Sequence, residues 1–145
     1  MELLIAPDKR SRRVLFRLVG APKAVERAIP RAWDESGAVL SKRLTTLLTT
    51  GPRNGRRYMH RGVEITASAP GEPPAKRSGR LARSVEYRTR GAQMEFGETA
   101  EYAGFLEDGT RKMAARPHVS RVVKTTSGDV YQILARHISQ AAKAR

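Results

Sequence analysis

The chain has 145 residues, with 28 lysines and arginines against 14 acidic residues, so its net charge is +14, and it contains no cysteine. This length supports one hydrophobic core and predicts a single domain over residues 1–145. The lack of cysteine excludes disulfides and thiolate metal sites, and no apolar run approaches the about 20 residues that span a bilayer. The N-terminal residues lack the basic start and apolar stretch of a signal peptide, so we expect synthesis in a cytoplasm.

The first fifty residues predict a β-hairpin followed by a long helix. Apolar residues alternate in 14–19, and with 3–5 they flank a polar turn. From 22 to 49 the apolar spacing becomes three and four, which is typical of an amphipathic helix. Pro30 predicts a kink or a helix that restarts there, and Gly51-Pro52 predicts its end.

Residues 53–77 form a predicted extended arm, called the basic arm below. Prolines at 70, 73 and 74 favour extended backbone, and we expect the arm to become ordered on assembly. Its first part interleaves cations with an aromatic residue, which is typical either of nucleic-acid binding or of an inter-subunit contact. We favour the contact, since residues 91–110 carry five acids and no base. The residues concerned are Arg53, Arg56, Arg57, Tyr58 and Arg61.

The second half of the chain predicts short elements and then helices. Ser78 and Ser84 are each placed to cap a short helical segment, and residues 84–89 and 93–97 alternate as a second hairpin. Beyond residue 117 we expect two helices, 119–125 and 129–143, separated by a break at Ser127-Gly128.

Residues 102–117, called the hallmark block below, combine a helical turn with a specified loop. Tyr102, Phe105 and Leu106 are spaced to share one helix face. Gly109 is suited to end that helix, and Thr110 opens a loop whose exit is fixed by Pro117. We expect Tyr102, Phe105, Leu106 and Met113 to form a packed anchor for this loop. Arg116 is the residue whose charge we expect to matter most, because its guanidinium group can hold the loop in the shape that docks against a neighbour.

The hallmark block resembles that of siphophage neck proteins, the head-tail joining or tail-completion proteins related to lambda minor tail protein Z. The similarity lies in Tyr102-Ala103, Phe105-Leu106-Glu107, Gly109-Thr110, Met113 and Ala115-Arg116-Pro117. A second block, residues 69–75 with Ser78-Gly79-Arg80-Leu81 and Ser84-Val85, is similar to the proline-rich approach that precedes it in those proteins. Asp108 and His118 depart from the family's pattern.

The resemblance implies a structural virion protein, made in the bacterial host and located in the neck of a tailed phage. It implies a homo-oligomeric ring, expected to be a hexamer, between the head-closure protein of the portal complex and the tail terminator, with DNA passing through its lumen. The fold expected is α+β: a small antiparallel sheet packed by one long N-terminal helix and C-terminal helices. The alternative is a small basic nucleic-acid-binding protein.

The sequence offers no evident catalytic, metal or cofactor site. His60, His118 and His137 lack companions at metal-ligand spacing, and we interpret His118 as a packing residue and His137 as a helix-face residue. Glu107 and Asp108 are adjacent and point apart on a helix, so we interpret them as solvated or paired with nearby cations. A virion-associated hydrolase is therefore the weakest of the alternatives.

Overall fold

The computed structural model describes residues 2–8, 13–20 and 23–143. It has an α+β architecture, as predicted, with a four-stranded antiparallel sheet, a separate two-stranded sheet and helices. The four-stranded sheet contains β1 (Glu2–Asp8), β2 (Arg13–Val19), β5 (Val85–Arg90) and β6 (Gln93–Glu98), in the order β1-β2-β6-β5. Both predicted hairpins are confirmed, although most of the first turn lies outside the described residues.

Helix α1 (Ile29–Thr50) begins where Pro30 can occupy its first turn. The restart at Pro30 is therefore confirmed, and Lys23–Val25 forms a separate 3-10 turn. Two strands of the sheet, β1 and β2, precede this helix in the chain, so the long helix is not the first element. Its buried stripe carries Trp33, which lies 6.1 Å from Phe16 between ring centroids and links the helix to β2.

Gly37 explains how closely α1 approaches β5. A Cβ atom added there would overlap the Tyr87 ring, so only glycine fits this contact without displacement. The helix-propensity cost of about 1 kcal/mol is offset by this packing.

Helix α4 (Val119–Lys143) is continuous, so the predicted break at Ser127-Gly128 is wrong. The reason is tertiary. Thr126 and Val130 on either side are buried, and Thr126 accepts a hydrogen bond from Arg43 of α1 at 3.1 Å. Packing along α1 therefore outweighs the weak helix propensity of one glycine.

The basic arm has more structure than the sequence predicts. Strands β3 (Arg57–His60) and β4 (Val63–Thr66) form a two-stranded antiparallel hairpin, a pairing that the prediction of an extended arm did not include. Further along the arm, Ser68 and Pro73 are buried, and the amide of Gly71 donates to the carbonyl of Ala115 at 3.1 Å. The second half of the arm is thus bound to the hallmark block.

Candidate functional site

Two short helices position the hallmark block. Helix α2 (Arg80–Arg83) has Gly79 at its N-cap, so the prediction that Ser78 caps this turn is wrong, although the Ser78 Oγ accepts a hydrogen bond from the Arg80 amide at 3.3 Å. Helix α3 (Ala103–Asp108) ends at Gly109 with φ of 78° and ψ of −178°, a conformation open to glycine. The predicted helix end is confirmed, and the close backbone of Met113 and Ala115 leaves no room for a Cβ atom.

The loop after Gly109 is held by its own backbone. Thr110 and Met113 exchange two hydrogen bonds, at 2.8 and 3.2 Å, which close a tight turn. The Arg116 amide then donates to the carbonyl of Leu106 at 2.7 Å and returns the chain to α3. These bonds lie within residues 106–116, and the Gly71 amide of the basic arm adds one more to the Ala115 carbonyl.

A buried ionic cluster joins this loop to helix α4. The cluster consists of Glu98, Glu107 and His118, which are 1%, 7% and 0% exposed. We call it the His118 cluster. The interpretation of His118 as a buried packing residue is confirmed, but its polar role was not foreseen.

Glu107 caps the N-terminus of α4 from a distance. Its Oε2 accepts from the amides of His118 at 2.8 Å and Val119 at 3.0 Å, and its Oε1 accepts from Ser120 at 3.0 Å. The first amides of a helix need such acceptors, and a carboxylate also suits the positive end of the helix dipole. The interpretation of Glu107 as solvated or paired with Arg111 and Lys112 is therefore wrong.

The environment of Glu107 favours its charged form. Burial opposes ionisation, but the hydrogen bonds from His118 and Ser120 and the nearby imidazole outweigh it, so the pKa of Glu107 lies below its usual value. A sequence signal for this cap existed. Helix α4 begins after Pro117-His118, which offers none of the usual capping side chains, so its amides require an acceptor from elsewhere.

Both nitrogens of the His118 ring face oxygen acceptors. Nε2 lies 2.8 Å from Oε2 of Glu98, while Nδ1 lies 2.8 Å from the Arg116 carbonyl and 3.0 Å from Glu107. Burial alone would lower the pKa of His118, but the bonds to Glu98 and the other acceptors reverse this, and its pKa is raised. Because both ring nitrogens face oxygen acceptors, this geometry favours the protonated ring, held between the side chains of Glu98 and Glu107.

The packed anchor is only partly as expected. Tyr102, Leu106 and Met113 are half-buried, but Phe105 is 61% exposed, so its predicted burial is wrong. The reason is that the inward face of α3 carries Ala103 and the buried carboxylate of Glu107. The Phe105 side chain therefore lies on the solvent-exposed side of α3, opposite the side that carries Ala103 and Glu107.

A second feature is a groove between the β3–β4 hairpin, α2 and α3, with a volume of about 670 Å³. Among the described residues that line it there are five lysines or arginines, one histidine and no acid. We call it the cationic groove. Its basic residues are His60, Arg61, Lys76, Arg77, Arg80 and Arg116.

The cationic groove brings together two predicted sets that are far apart in sequence. Tyr58 and Arg61 of the basic arm line it with Tyr102, Leu106 and Arg116 of the hallmark block. The remaining predicted residues lie outside its lining: Arg53, Arg56, Arg57, Phe105, Gly109, Thr110, Met113 and Pro117. Lys76, Arg77 and Arg80 were not predicted as site residues from the sequence, although each follows the proline-rich stretch of the arm.

The acidic segment 91–110 is only partly available as a complementary surface. Glu98 and Glu107 are buried in the His118 cluster, and Glu95 accepts a hydrogen bond from Arg13 at 3.4 Å while its side chain stays 50% exposed. Glu101 and Asp108 lie at exposed positions, so the attraction of this segment for the basic arm of a neighbour stays a prediction.

Comparisons of the sequence with protein-family models and curated proteins, and of the fold with solved structures, find no significant match. Within the part of the chain that the structure describes, no three potential ligands are arranged to hold a metal ion. In the same residues, no helix has the length and apolar character needed to cross a bilayer.

Proposed function

We propose that this protein is a structural subunit of a tailed-phage virion. It forms a homo-oligomeric ring in the neck, between the head-closure protein and the tail terminator protein, around the channel through which DNA passes. The resemblance of the hallmark block to siphophage neck proteins supports this role, and the geometry of that block supports a docking function.

One observation carries the docking function: a large aromatic side chain, Phe105, is 61% exposed on a helix that is otherwise immobilised. Helix α3 is fixed on one side by Glu107 and at its end by the Arg116-to-Leu106 hydrogen bond. A rigid exposed aromatic loses little entropy on binding, and such residues are common anchors in protein interfaces. An active site, in contrast, would need reactive groups beside it.

The proposal is tested by complementing a phage that lacks this protein. Phe105→Ser should leave the subunit folded, because little contact area is lost, and yet yield separate heads and tails instead of joined particles. Tyr131→Ser is the matched control, since Tyr131 is an aromatic residue on α4 that is 51% exposed. It should give the normal titre.

Particle morphology by electron microscopy is the readout, with the melting temperature of each purified variant as a check on folding. Joined particles at the wild-type titre with Phe105→Ser would contradict the docking role. Joined particles in the complete absence of the protein would contradict the neck assignment itself.

A further inference from the structure

The cationic groove has the chemistry of a binding site that the assembly role does not use. Its five lysine and arginine side chains lie together without an acid in the described lining, so they repel one another and favour an anionic ligand. A volume of about 670 Å³ is in the range of pockets that enclose a ligand.

Arg61 occupies a strained position at the edge of the groove. It has φ of 51° and is followed by Gly62 with φ of 79°, which is the pattern of a two-residue type I′ turn. Asn-Gly is the preferred pair in this turn, and a long side chain at positive φ costs about 1 kcal/mol. Strain of this kind at a groove edge is typical of a residue placed for binding rather than for stability.

Arg116 adds an unsatisfied donor. Its Nε atom is buried and has no hydrogen-bond partner among the described residues, although the residue lines the groove and its charge acts on the nearby carboxylate of Glu72. A buried donor without an acceptor costs free energy, and an oxyanion is the acceptor that a guanidinium group binds best. Carboxylates and phosphates both meet this requirement.

The aromatic lining favours a phosphate polymer over an acidic peptide. Tyr58 is exposed on β3 within the groove, and Tyr102 lies under the Arg80 guanidinium, which is 5.8 Å from its ring centroid. Bases stack on such aromatic and arginine surfaces while neighbouring cations bind the backbone. A second copy of this chain is a poorer occupant, because two of the five carboxylates of its acidic segment are buried in the His118 cluster.

We propose that the cationic groove binds a single strand of nucleic acid, with phosphates on Arg61, Arg77 and Arg80 and a base stacked on Tyr58. These contacts involve phosphates and the face of a base, which all nucleotides share, so binding does not depend on the nucleotide sequence. This inference does not depend on ring formation or on the neck assignment, because it concerns the lining of one subunit.

The test measures fluorescence anisotropy of a labelled oligo-dT of about 15 nucleotides, a length that covers the site sizes of known single-strand binders. Arg61→Asn should weaken binding about threefold to tenfold and reduce the slope of log affinity against log salt by about 0.7. The same substitution relieves the turn strain, so the melting temperature should stay the same or rise. Loss of binding with gain of stability cannot arise from misfolding.

Two further variants locate the site. Tyr58→Ala should weaken binding about fivefold or more, as expected for the loss of one stacked base. Lys124→Gln changes the charge by one unit at an exposed position of α4 and should change the affinity less than about twofold. Equal losses for Arg61→Asn and Lys124→Gln would show diffuse attraction by net charge and overturn the proposal.

Competition identifies the ligand class. An unlabelled oligo-dT should displace the probe far better than a duplex or polyglutamate of equal charge. Displacement by polyglutamate at the same concentration would overturn the proposal and assign the groove to an acidic protein segment. Equal displacement by the duplex would place binding on the open surface and not in the groove.

Discussion

The Oε2 atom of Glu107 accepts a hydrogen bond from the backbone amide of His118 at 2.8 Å, across eleven residues of sequence. This contact joins the end of α3 to the start of α4, and the loop of the hallmark block is enclosed between them. The carboxylate satisfies three helix amides and balances the charge of a buried imidazolium. It is therefore a central contact for the shape of the proposed docking element.

Replacing Glu107 with Ala should lower the free energy of unfolding by about 3 kcal/mol, because three amides and a buried cation would lose their acceptor. Chemical denaturation is the measurement. Glu101→Ala is a matched control at an exposed position on the approach to α3, and it should change the free energy by less than about 0.5 kcal/mol. Similar effects of the two substitutions would contradict the capping role.

Stability should depend on pH through His118 and Glu107, for two separate reasons. The pKa of His118 is raised above 6.5, so its contribution is complete below pH 6.5 and is lost as the pH rises through the folded-state value. The pKa of Glu107 is lowered below 4.5, so its contribution is complete above pH 4.5 and is lost as the pH falls.

Melting temperatures measured between about pH 3 and about pH 9 follow both the decline in stability at low pH and the decline at high pH. His118→Gln has no titrating ring at this position and should abolish most of the decline on the alkaline side. The groups that face the ring are the carboxylates of Glu98 and Glu107 and the carbonyl of Arg116. An unchanged alkaline limb in the variant would show that another group is responsible.

Two helical glycines should respond in opposite directions to alanine. Gly128→Ala should raise the free energy of unfolding by about 0.5 to 1 kcal/mol, since nothing lies within 4 Å of the added Cβ atom. Gly37→Ala should lower it by about 1 kcal/mol or more, because the Tyr87 ring must move. Thermal melts compare the two variants, and each serves as the control for the other. A gain in stability for both would contradict the close contact of α1 with β5.

Phe105 and Phe96 should differ strongly in their contribution to stability. Phe96→Ala should cost about 3 to 5 kcal/mol, because its side chain is fully buried in the core. Phe105→Ala should change the free energy of unfolding by less than about 0.5 kcal/mol. Urea denaturation compares them directly, and a large loss for Phe105→Ala would restore the core interpretation that the structure overturns.

The β3–β4 hairpin should be the least protected β structure in the free subunit. Two-stranded hairpins are marginal by themselves, and Met59 and Val63 on its surface are exposed. Hydrogen exchange of the amides of residues 57–66 should therefore be faster than that of β5 and β6. Equal protection would mean that the hairpin is an integral part of the folded unit.

Local patterns in the sequence determined most of the elements. Alternation predicted both hairpins of the main sheet, helical spacing predicted α1, and Pro30 and Gly51 predicted its start and end. Gly109 predicted the end of α3, because glycine can adopt a positive φ whatever residues surround it. These features depend on neighbours within a few positions, which is the range that sequence patterns describe.

The rest was decided by contacts between distant parts of the chain. Helix α4 continues through Gly128 because α1 supports both sides of that position, and Phe105 is exposed because Glu107 takes the inward place on α3. The His118 cluster and the cationic groove join residues from separate segments. Burial and charge compensation at such sites depend on which segments meet, and that is fixed by the tertiary structure alone.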